Sequence, residues 1–307
     1  TQVLLTSATV LGSAYAGGNG AAAIVNRNTT ISVEGNTIIG SETSKAPHSG
    51  CLFGGGNAAA TGTEDANNSL ATVNIVGGHI YGNVYGGANT SVVYGKTDTN
   101  IGTNAVENDN LTEISINIGG TVFGGGEANA AGDENYDFSF ISVTGAIDID
   151  IDGENYLENN HNFIISGSIF GSGNASSSSG TSDIYIANLG TRDNPSRNIS
   201  IQRANTVILD NTTMQLEGTT DRTNEYSDIK YSLNRIDELN IKNNTMLLLQ
   251  ENANLLQSFK STVDIDGKEQ KATVIIDDET KKVTRNVDNR LYMLANKNLN
   301  VTTNEAA

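Results

Sequence analysis

LFGGGNA at residues 52–58 is the stretch that decides the fold, because four other stretches of the chain repeat its pattern. Each copy has an apolar residue, an aromatic residue, a run of small residues, and a polar residue four positions after the aromatic. The other copies are AYAGGNG at 14–20, VYGGANT at 84–90, VFGGGEA at 122–128 and IFGSGNA at 169–175. Their aromatics are 38, 32, 38 and 47 residues apart. Such a period, with insertions, is typical of one unit in a repeat array, whose function usually lies on its lateral surface.

Short segments beside these motifs alternate apolar and polar residues, as strands with one buried face do. The alternating apolar residues are Ile31 and Val33; Val73 and Ile75; Ile114, Ile116 and Ile118; Ile141 and Val143; Ile184 and Ile186. The repeat and the strands together predict an all-β chain, folded as a right-handed parallel β-solenoid of about eight coils with a protruding C-terminal β-hairpin. The handedness follows from the general rule for parallel crossovers.

A second repeat register follows the glycine motifs. Residues 207–216 align with residues 239–248 at an offset of 32. The identical pairs are Asn211 and Asn243, Thr213 and Thr245, Met214 and Met246, and Leu216 and Leu248. An x-Asn-x-Thr turn suits a solenoid corner because Asn accepts left-handed backbone geometry, although the same residues could mark hairpins. The matching period favours the solenoid.

The C-terminal part of the chain carries patterns that predict a strand, helical turns and a hairpin. Residues 229–233 alternate as a strand, the structure we expect, although Ile229, Leu233 and Ile236 would also suit a helix. ENANLLQSF at residues 251–259 suits one or two helical turns. Asp266 and Gly267 lie between β-rich flanks and predict a hairpin. We therefore expect three regions: a solenoid over 1–260, with glycine and aromatic repeats to about 180 and Asn-Thr repeats after; a hairpin insertion over 261–290; and a closing solenoid strand over 291–307.

Stacking equivalent positions of successive coils explains the residues of the motif. The aromatics Tyr15, Phe53, Tyr85, Phe123 and Phe170 are expected to form a buried column. The glycines after them, such as those at 54–56 and 124–126, are expected to take positive φ and to leave room for neighbouring coils. Asn19, Asn57, Asn89 and Asn174 are expected to stack as an amide ladder. Glu127 breaks that series, and we interpret it as an outward-facing substitution or a local cation contact.

The charge balance restricts the partners. With 35 acidic and 18 basic residues the formal net charge is −17. Nucleic acids and anionic lipid surfaces need basic footprints, so neither is an expected partner, and no apolar run is long enough to cross a bilayer. The single Cys51 is expected to be a buried apolar side chain rather than a nucleophile.

One motif points to a cation. Asp148, Asp150 and Asp152 precede Gly153 in a D-x-D-x-D-G pattern, the first half of a calcium loop. The twelfth position of that loop is Asn159 instead of Glu, so the motif is incomplete. The alternative interpretation is a strand with an apolar inner face and an acidic outer face. Calcium at these three residues is the only cofactor predicted.

Enzymatic function is not expected. The sequence contains no His-x-x-x-His or Cys-x-x-Cys pair, and His48, His79 and His161 are not spaced as metal ligands usually are. Residues 51–180 contain one basic residue, Lys96, whereas lyases on parallel β-helices need Arg or Lys beside calcium to handle a polyanion. A carbohydrate-active β-helix, either a sugar-binding module or a polysaccharide lyase, is the alternative.

Three segments carry a resemblance to known proteins: VFGGG at residues 122–126, IYGNVYGGANTSVVYG at 80–95, and IDELNIKNNTMLLLQENANLL at 236–256. Their repeat style resembles the glycine-rich parallel β-helix region of large surface adhesins of Gram-positive bacteria. The resemblance implies an extracellular or cell-wall location, an adhesive or structural role toward host or community glycans or proteins, and no particular binding residues. It also leads us to expect a monomer that is a segment of a longer chain, with its signal and anchor elsewhere.

Overall fold

The computed structural model describes residues 1–44, 49–102, 115–128, 139–154, 156, 162–191, 193–220, 230–243 and 245–249, and six short strands beyond them. The protein is all-β, with 53% strand, almost no helix, and a large parallel sheet curled into a half-barrel. Within the described residues, no helix has the length and apolar character needed to cross a membrane.

The first sixteen strands are β1 (Gln2–Thr6), β2 (Thr9–Val10), β3 (Ala14–Tyr15), β4 (Thr29–Glu34), β5 (Ile38–Ile39), β6 (Leu52–Phe53), β7 (Ser69–Ile75), β8 (Gly78–Ile80), β9 (Val84–Tyr85), β10 (Gly95–Gly102), β11 (Ile116–Ile118), β12 (Val122–Phe123), β13 (Ile141–Val143), β14 (Ile147–Asp152), β15 (Phe163–Ile165) and β16 (Ile169–Phe170). The remaining strands are β17 (Ser177–Ser178), β18 (Ser182–Ala187), β19 (Ser196–Asn198), β20 (Ile201–Asp210), β21 (Thr213–Leu216), β22 (Thr219–Thr220), β23 (Lys230–Lys242), β24 (Met246–Leu249), β25 (Ala253–Leu256), β26 (Thr262–Ile265), β27 (Lys268–Lys271), β28 (Ile275–Asp277), β29 (Lys282–Thr284) and β30 (Tyr292–Ala295).

Strands pair with their equivalents one repeat away, which produces three parallel rows. The long-strand row runs β1-β4-β7-β10-β14-β18-β20, the short row β2-β5-β8-β11-β15, and the aromatic row β3-β6-β9-β12-β16. We call each set of one strand per row a tier: β1 to β3 form the first tier, β4 to β6 the second, β7 to β9 the third, β10 to β12 the fourth, and β14 to β16 the fifth. The predicted parallel stacking of repeats is present.

The core lies between the rows. Inward residues of the long-strand row, such as Ile31, Val73, Ile101 and Ile149, are almost fully buried and pack against apolar residues of the other two rows. Residues between them face outward, as the period of two requires. Burial of these branched side chains is the main stabilising contribution, at about 25 cal/mol per Å² of apolar surface removed from water.

The aromatic column is confirmed, and its two end rings are less buried than the three rings between them. Ring centroids of successive aromatics lie 4.8, 4.5, 5.0 and 5.1 Å apart from Tyr15 to Phe170, and the first three pairs are parallel within 9°. Phe53, Tyr85 and Phe123 are buried, whereas Tyr15 and Phe170 at the two ends are half-buried. The rings are therefore core residues and do not form a platform on a lateral face.

The corner glycines are required for close packing and not for positive φ. None of the glycines at 54–56 or 124–126 has positive φ. A Cβ on Gly54 would lie 2.3 Å from the Gly86 carbonyl oxygen, and a Cβ on Gly124 would lie 2.1 Å from an Ile147 methyl carbon. The left-handed residue comes directly after the polar one: Ala58, with φ of 49°, is an example. The expectation of positive φ at the motif glycines is therefore wrong.

The amide ladder is present and Glu127 belongs to it. Asn57 donates from Nδ2 to Oδ1 of Asn19 at 2.8 Å, and Asn89 donates in the same way to Asn57 at 2.8 Å. Glu127 is fully buried, and its Oε2 accepts hydrogen bonds from the Tyr85 hydroxyl at 2.8 Å and from Asn174 Nδ2 at 2.7 Å. The expectation of an outward-facing Glu127 is wrong because these two donors hold its carboxyl inside.

The Asn-Thr repeat also stacks, with one residue inserted at its corner. Val207 pairs with Leu239 at the predicted offset of 32, but Thr213 pairs with Met246, an offset of 33. Asn211 and Asn243 take φ of 47° and 51°, the left-handed geometry predicted for them. The inserted residue shifts the predicted match of Thr213 with Thr245 by one position.

The C-terminal strands differ from expectation at one segment. β23 is a strand, as predicted, but residues 253–256 form strand β25 instead of a helical turn, because they pair in parallel with β23. β26 and β27 form an antiparallel hairpin in which Ile265 pairs with Lys268. Asp266 and Gly267, predicted as its turn, lie outside the described residues. β30 pairs in parallel with β24, so the chain rejoins the stack after the hairpin.

Candidate functional site

A shallow groove of about 480 Å³ with polar side chains lies on the outer surface of four neighbouring long strands, β10, β14, β18 and β20. We call it the acidic groove. Its lining residues are Asp98, Asn100, Asp148, Ile149, Asp150, Asp183, Ile184, Tyr185, Thr206 and Ile208. The alternation of the strands places these polar residues outside while Ile149 and Ile184 are buried beneath them.

Parallel register creates a row of carboxylates in the groove. Asp98 pairs with Asp148, and Asp148 pairs with Asp183. Neighbouring strands lie about 4.8 Å apart, so the three carboxylates are close enough to repel one another. Partial burial raises the pKa of Asp148, and the charges of Asp183 and Asp98 raise it further, while Lys96 opposes them. The row therefore attracts cationic groups and repels anions.

A second row supplies hydrogen-bonding and aromatic groups. Asn100 pairs with Asp150, Asp150 with Tyr185, and Tyr185 with Ile208. The Tyr185 hydroxyl donates to Asp210 Oδ2 at 3.4 Å. Burial raises the pKa of Tyr185 to about 12, with Asp210, Asp152 and Asp150 contributing in the same direction. Tyr185 is thus a neutral aromatic ring at the edge of an acidic row.

The three residues predicted to bind calcium do not form a loop. Asp148, Asp150 and Asp152 alternate along strand β14, so they are spaced about 6.6 Å apart along the strand. Asp148 and Asp150 line the groove, whereas Asp152 is buried at the strand end. Asp152 Oδ1 accepts hydrogen bonds from Asn188 Nδ2 at 2.9 Å and from the Glu154 amide at 3.0 Å. Calcium binding by these residues stays a prediction.

Other metal-ligating residues are dispersed. In the part of the chain that the structure describes, no three His, Cys, Asp or Glu side chains are grouped to hold a metal ion. His79 lies on β8 in the short row and stacks on Tyr81, with ring centroids 3.9 Å apart. Burial lowers the pKa of His79. His48 and His161 lie outside the described residues.

Cys51 belongs to a buried polar cluster beside the aromatic column. The Asn83 amide donates to Cys51 Sγ at 3.3 Å, and Asn83 Nδ2 donates to the Tyr85 hydroxyl oxygen at 2.9 Å. Burial raises the pKa of the Cys51 thiol to about 11, and the nearby Glu127 adds to the effect. Burial also raises the pKa of Tyr85, with Glu127 as the second cause. Cys51 is a buried core residue, as the sequence predicted.

Sequence reasoning missed Asp98, Asn100, Asp183 and Tyr185 as members of the groove. Each lies in an alternating segment whose outward positions are polar. These residues come together because of the register between paired strands. The number of residues from Asp98 to Asp148 differs from the number from Asp148 to Asp183, so the sequence spacing is not constant. The signal that finds them is the alignment of KTDTNI at 96–101, AIDIDI at 146–151 and TSDIYI at 181–186.

Comparison of the chain with models of protein families, with curated proteins and with solved structures finds no match.

Proposed function

We propose that this protein is a non-enzymatic, adhesive segment of a bacterial cell-surface protein, and that its acidic groove contacts glycans. The observation that carries the proposal is the composition of the groove: carboxylates, an amide, a hydroxyl, one tyrosine and three isoleucines on a parallel sheet, with no Arg or Lys in its lining. Carboxylates and amides accept and donate hydrogen bonds to sugar hydroxyls, and a tyrosine ring packs on the apolar face of a sugar.

The proposed architecture is a right-handed parallel β-solenoid of about eight coils. Five tiers of three parallel strands support it, together with β20, which pairs with β16 through Ile201 and with β18 through Val207. β20 thus pairs with both the aromatic row and the long-strand row, as expected if the chain winds continuously from one row into the next. The lateral surface of such a rod presents equivalent positions repeatedly, and weak contacts at repeated positions gain avidity.

The charge of the groove selects among glycans. A row of three aspartates repels uronates, sulfates and other polyanions and favours neutral sugars or sugars with free amino groups. Absence of basic residues from the lining does not favour the polysaccharide lyase alternative, which needs cationic groups at the reacting carboxylate.

The test is a glycan array probed with the full chain and with two matched variants. We expect binding to neutral or amino glycans and none to uronate-rich ones. Asp183→Asn should weaken binding at least about tenfold, because a carboxylate hydrogen bond in a contact site is lost. Tyr81→Ser, which changes the aromatic stacked on His79 away from the groove, should leave binding unchanged. Binding restricted to polyanions would refute the proposed ligand class.

The non-enzymatic assignment has its own test. The chain should release no reducing ends or unsaturated uronates from pectin, alginate, hyaluronan or chondroitin. Product that disappears when Asp150 is replaced by Asn would establish the carbohydrate-active alternative in place of adhesion.

A further inference from the structure

Tyr185 is the aromatic side chain among the residues that line the acidic groove. Its register partners on the neighbouring strands are Asp150 on one side and Ile208 on the other. The side chain is half-buried, so part of the ring is accessible from the groove. A side chain on a strand can adopt more than one staggered rotamer, and different rotamers aim a tyrosine ring in different directions. The contacts that hold the ring therefore decide how the groove meets a ligand.

The hydroxyl of Tyr185 contacts Asp210, which lies outside the lining of the groove. Asp210 follows Ile208 by two residues on β20, so its side chain lies on the same outward face of the sheet. The contact is diagonal across the strand pair, because the register partner of Asp210 is Ala187. The hydroxyl donates to Asp210 Oδ2 over 3.4 Å, which is long for such a bond. The orientation of the carboxylate therefore depends on its other oxygen.

Asn243 holds the other oxygen of Asp210. Its Nδ2 donates to Asp210 Oδ1 from the corner that directly follows β23. Asn243 has φ of 51°, a left-handed geometry that asparagine accepts more readily than most residues. A hydrogen bond to a carboxylate is stronger than one between neutral groups. The two oxygens of Asp210 thus accept from Asn243 and from Tyr185, and the carboxylate connects a fixed corner to the ring in the groove.

The same corner bond occurs two repeats earlier. Asn188 Nδ2 donates to Asp152 Oδ1 at 2.9 Å, and Asn188 also has left-handed φ, 52°. Asn188 and Asn243 are equivalent, because each directly follows a register partner of Asp210. The bond between a corner asparagine and an aspartate is therefore a property of the stack, and the tyrosine hydroxyl is the added element at Asp210. The chain thus offers a matched control for a role of this bond in the groove.

We propose that Asp210 and Asn243 are positioning residues that hold the ring of Tyr185 for stacking on a sugar, an inference that rests on the proposed glycan-binding function of the groove. The ring offers one face to the apolar side of a pyranose, beside the carboxylate of Asp150. Burial, followed by the charge of Asp210, raises the pKa of Tyr185 to about 12, so the hydroxyl keeps its proton at neutral pH and can donate. Ordering the ring in advance removes a cost of binding that corresponds to about a two- to tenfold change in affinity.

Two substitutions at Asp210 separate its position from its charge. Asp210→Ala removes both hydrogen bonds. Asp210→Asn loses the charge but keeps an amide that can accept from Asn243 and donate to the hydroxyl oxygen of Tyr185. Titration calorimetry of the full chain with a cello-oligosaccharide and with a glucosamine oligosaccharide should show binding about two- to tenfold weaker for Asp210→Ala and nearly unchanged for Asp210→Asn. An equal loss in both variants would show that the charge acts instead of the position, and would overturn the proposal.

Asn243→Gly reaches the same carboxylate from the other side. Glycine accepts positive φ without strain, so the variant loses the side chain and keeps the corner. It should weaken sugar binding by a smaller factor than Asp210→Ala, because Asp210 keeps its contact with Tyr185. Asn188→Gly removes the equivalent corner bond at Asp152 and is the matched control, so its binding should be unchanged. A loss in the control as large as that in Asn243→Gly would overturn the proposal.

A measurement on the ring itself needs no ligand. In the full chain with isotopically labelled tyrosine, three-bond couplings report the χ1 rotamer of Tyr185, whose signals are assigned with Tyr185→Phe. We expect one rotamer in the unmodified chain and in Asp210→Asn, and averaging between rotamers in Asp210→Ala. A single fixed rotamer in Asp210→Ala would overturn the positioning role, whatever the sugars do. If the ring is released in Asp210→Ala but the unmodified chain binds neither sugar, the proposed glycan-binding function is overturned, and with it the sugar contact of Tyr185.

Discussion

Truncation of an interior ring of the column, Phe123→Ala, tests whether the stacked aromatics hold the tiers together. Phe123 is 6% exposed and lies between Tyr85 at 5.0 Å and Phe170 at 5.1 Å. Removing a buried phenylalanine costs about 3 to 5 kcal/mol of unfolding free energy. Each of the two lost ring pairs is worth about 0.5 to 1.5 kcal/mol beyond burial, which places the expectation in the upper part of that range.

Phe170→Ala is the matched control, because Phe170 is the same residue type at the end of the column. It is half-buried and stacks on one aromatic neighbour, so its truncation should cost about half as much, roughly 1.5 to 2.5 kcal/mol. Urea unfolding followed by tyrosine fluorescence and by far-UV circular dichroism measures both variants. Equal costs for the two variants, or a cost below about 1 kcal/mol for Phe123→Ala, would refute the column as a source of stability.

Four further predictions address backbone geometry, charge, reactivity and calcium. Ala58→Gly should stabilise the protein by about 0.5 to 1 kcal/mol because Ala58 has left-handed φ, whereas Ala59→Gly, at a buried position without positive φ, should destabilise it. Asp148→Asn should stabilise the fold by about 0.2 to 1 kcal/mol at pH 7. Because the pKa of Asp148 is raised in the folded protein, protonated Asp148 contributes stability to the fold, and this stability is lost as the pH rises through the folded-state pKa. The stability gained by Asp148→Asn should therefore vanish in acid. A gain that persists in acid would exclude charge repulsion as its cause. Cys51, with its pKa raised to about 11, should react with a thiol reagent at pH 8 only as fast as the protein unfolds, and rapid labelling of the folded chain would contradict its burial. If Asp148, Asp150 and Asp152 bind calcium, millimolar Ca²⁺ should raise the melting temperature more than NaCl of equal ionic strength, and Asp150→Asn should abolish the difference; equal responses would leave only a solvated acidic strand.

The repeat could be predicted because five copies of one motif reveal which positions are equivalent. Tyr15, Phe53, Tyr85, Phe123 and Phe170 stack as the spacing indicates. Of the two reasons given for the motif glycines, close packing between neighbouring coils is confirmed and positive φ is wrong, because the left-handed residue follows one position after the polar residue. Sequence spacing identifies the corner but does not show which of its residues carries the unusual φ.

The errors at Glu127 and at residues 251–259 have a common physical cause. The burial of Glu127 depends on the hydroxyl of Tyr85, 42 residues earlier, and the strand at 253–256 depends on pairing with β23. Both are tertiary contacts that override local residue preference. The acidic groove was only partly predicted for the same reason, because Asp98, Asp148 and Asp183 meet through register rather than through a local motif.

The close approach of backbone at the motif corners has a mechanical consequence. Gly54, Gly86 and Gly124 lie directly over one another, and a Cβ on Gly54 or Gly86 would lie 2.3 Å from the carbonyl oxygen of the next glycine in the series. Within the three described rows, the strands of each tier pair only with strands of the tiers on either side, so a force that pulls on the first strand loads one tier boundary at a time. Under tension the chain should release length in steps of one repeat. Repeats enlarged by insertions should give longer steps, so the spacing of the aromatics along the sequence sets the step lengths of the extension trace.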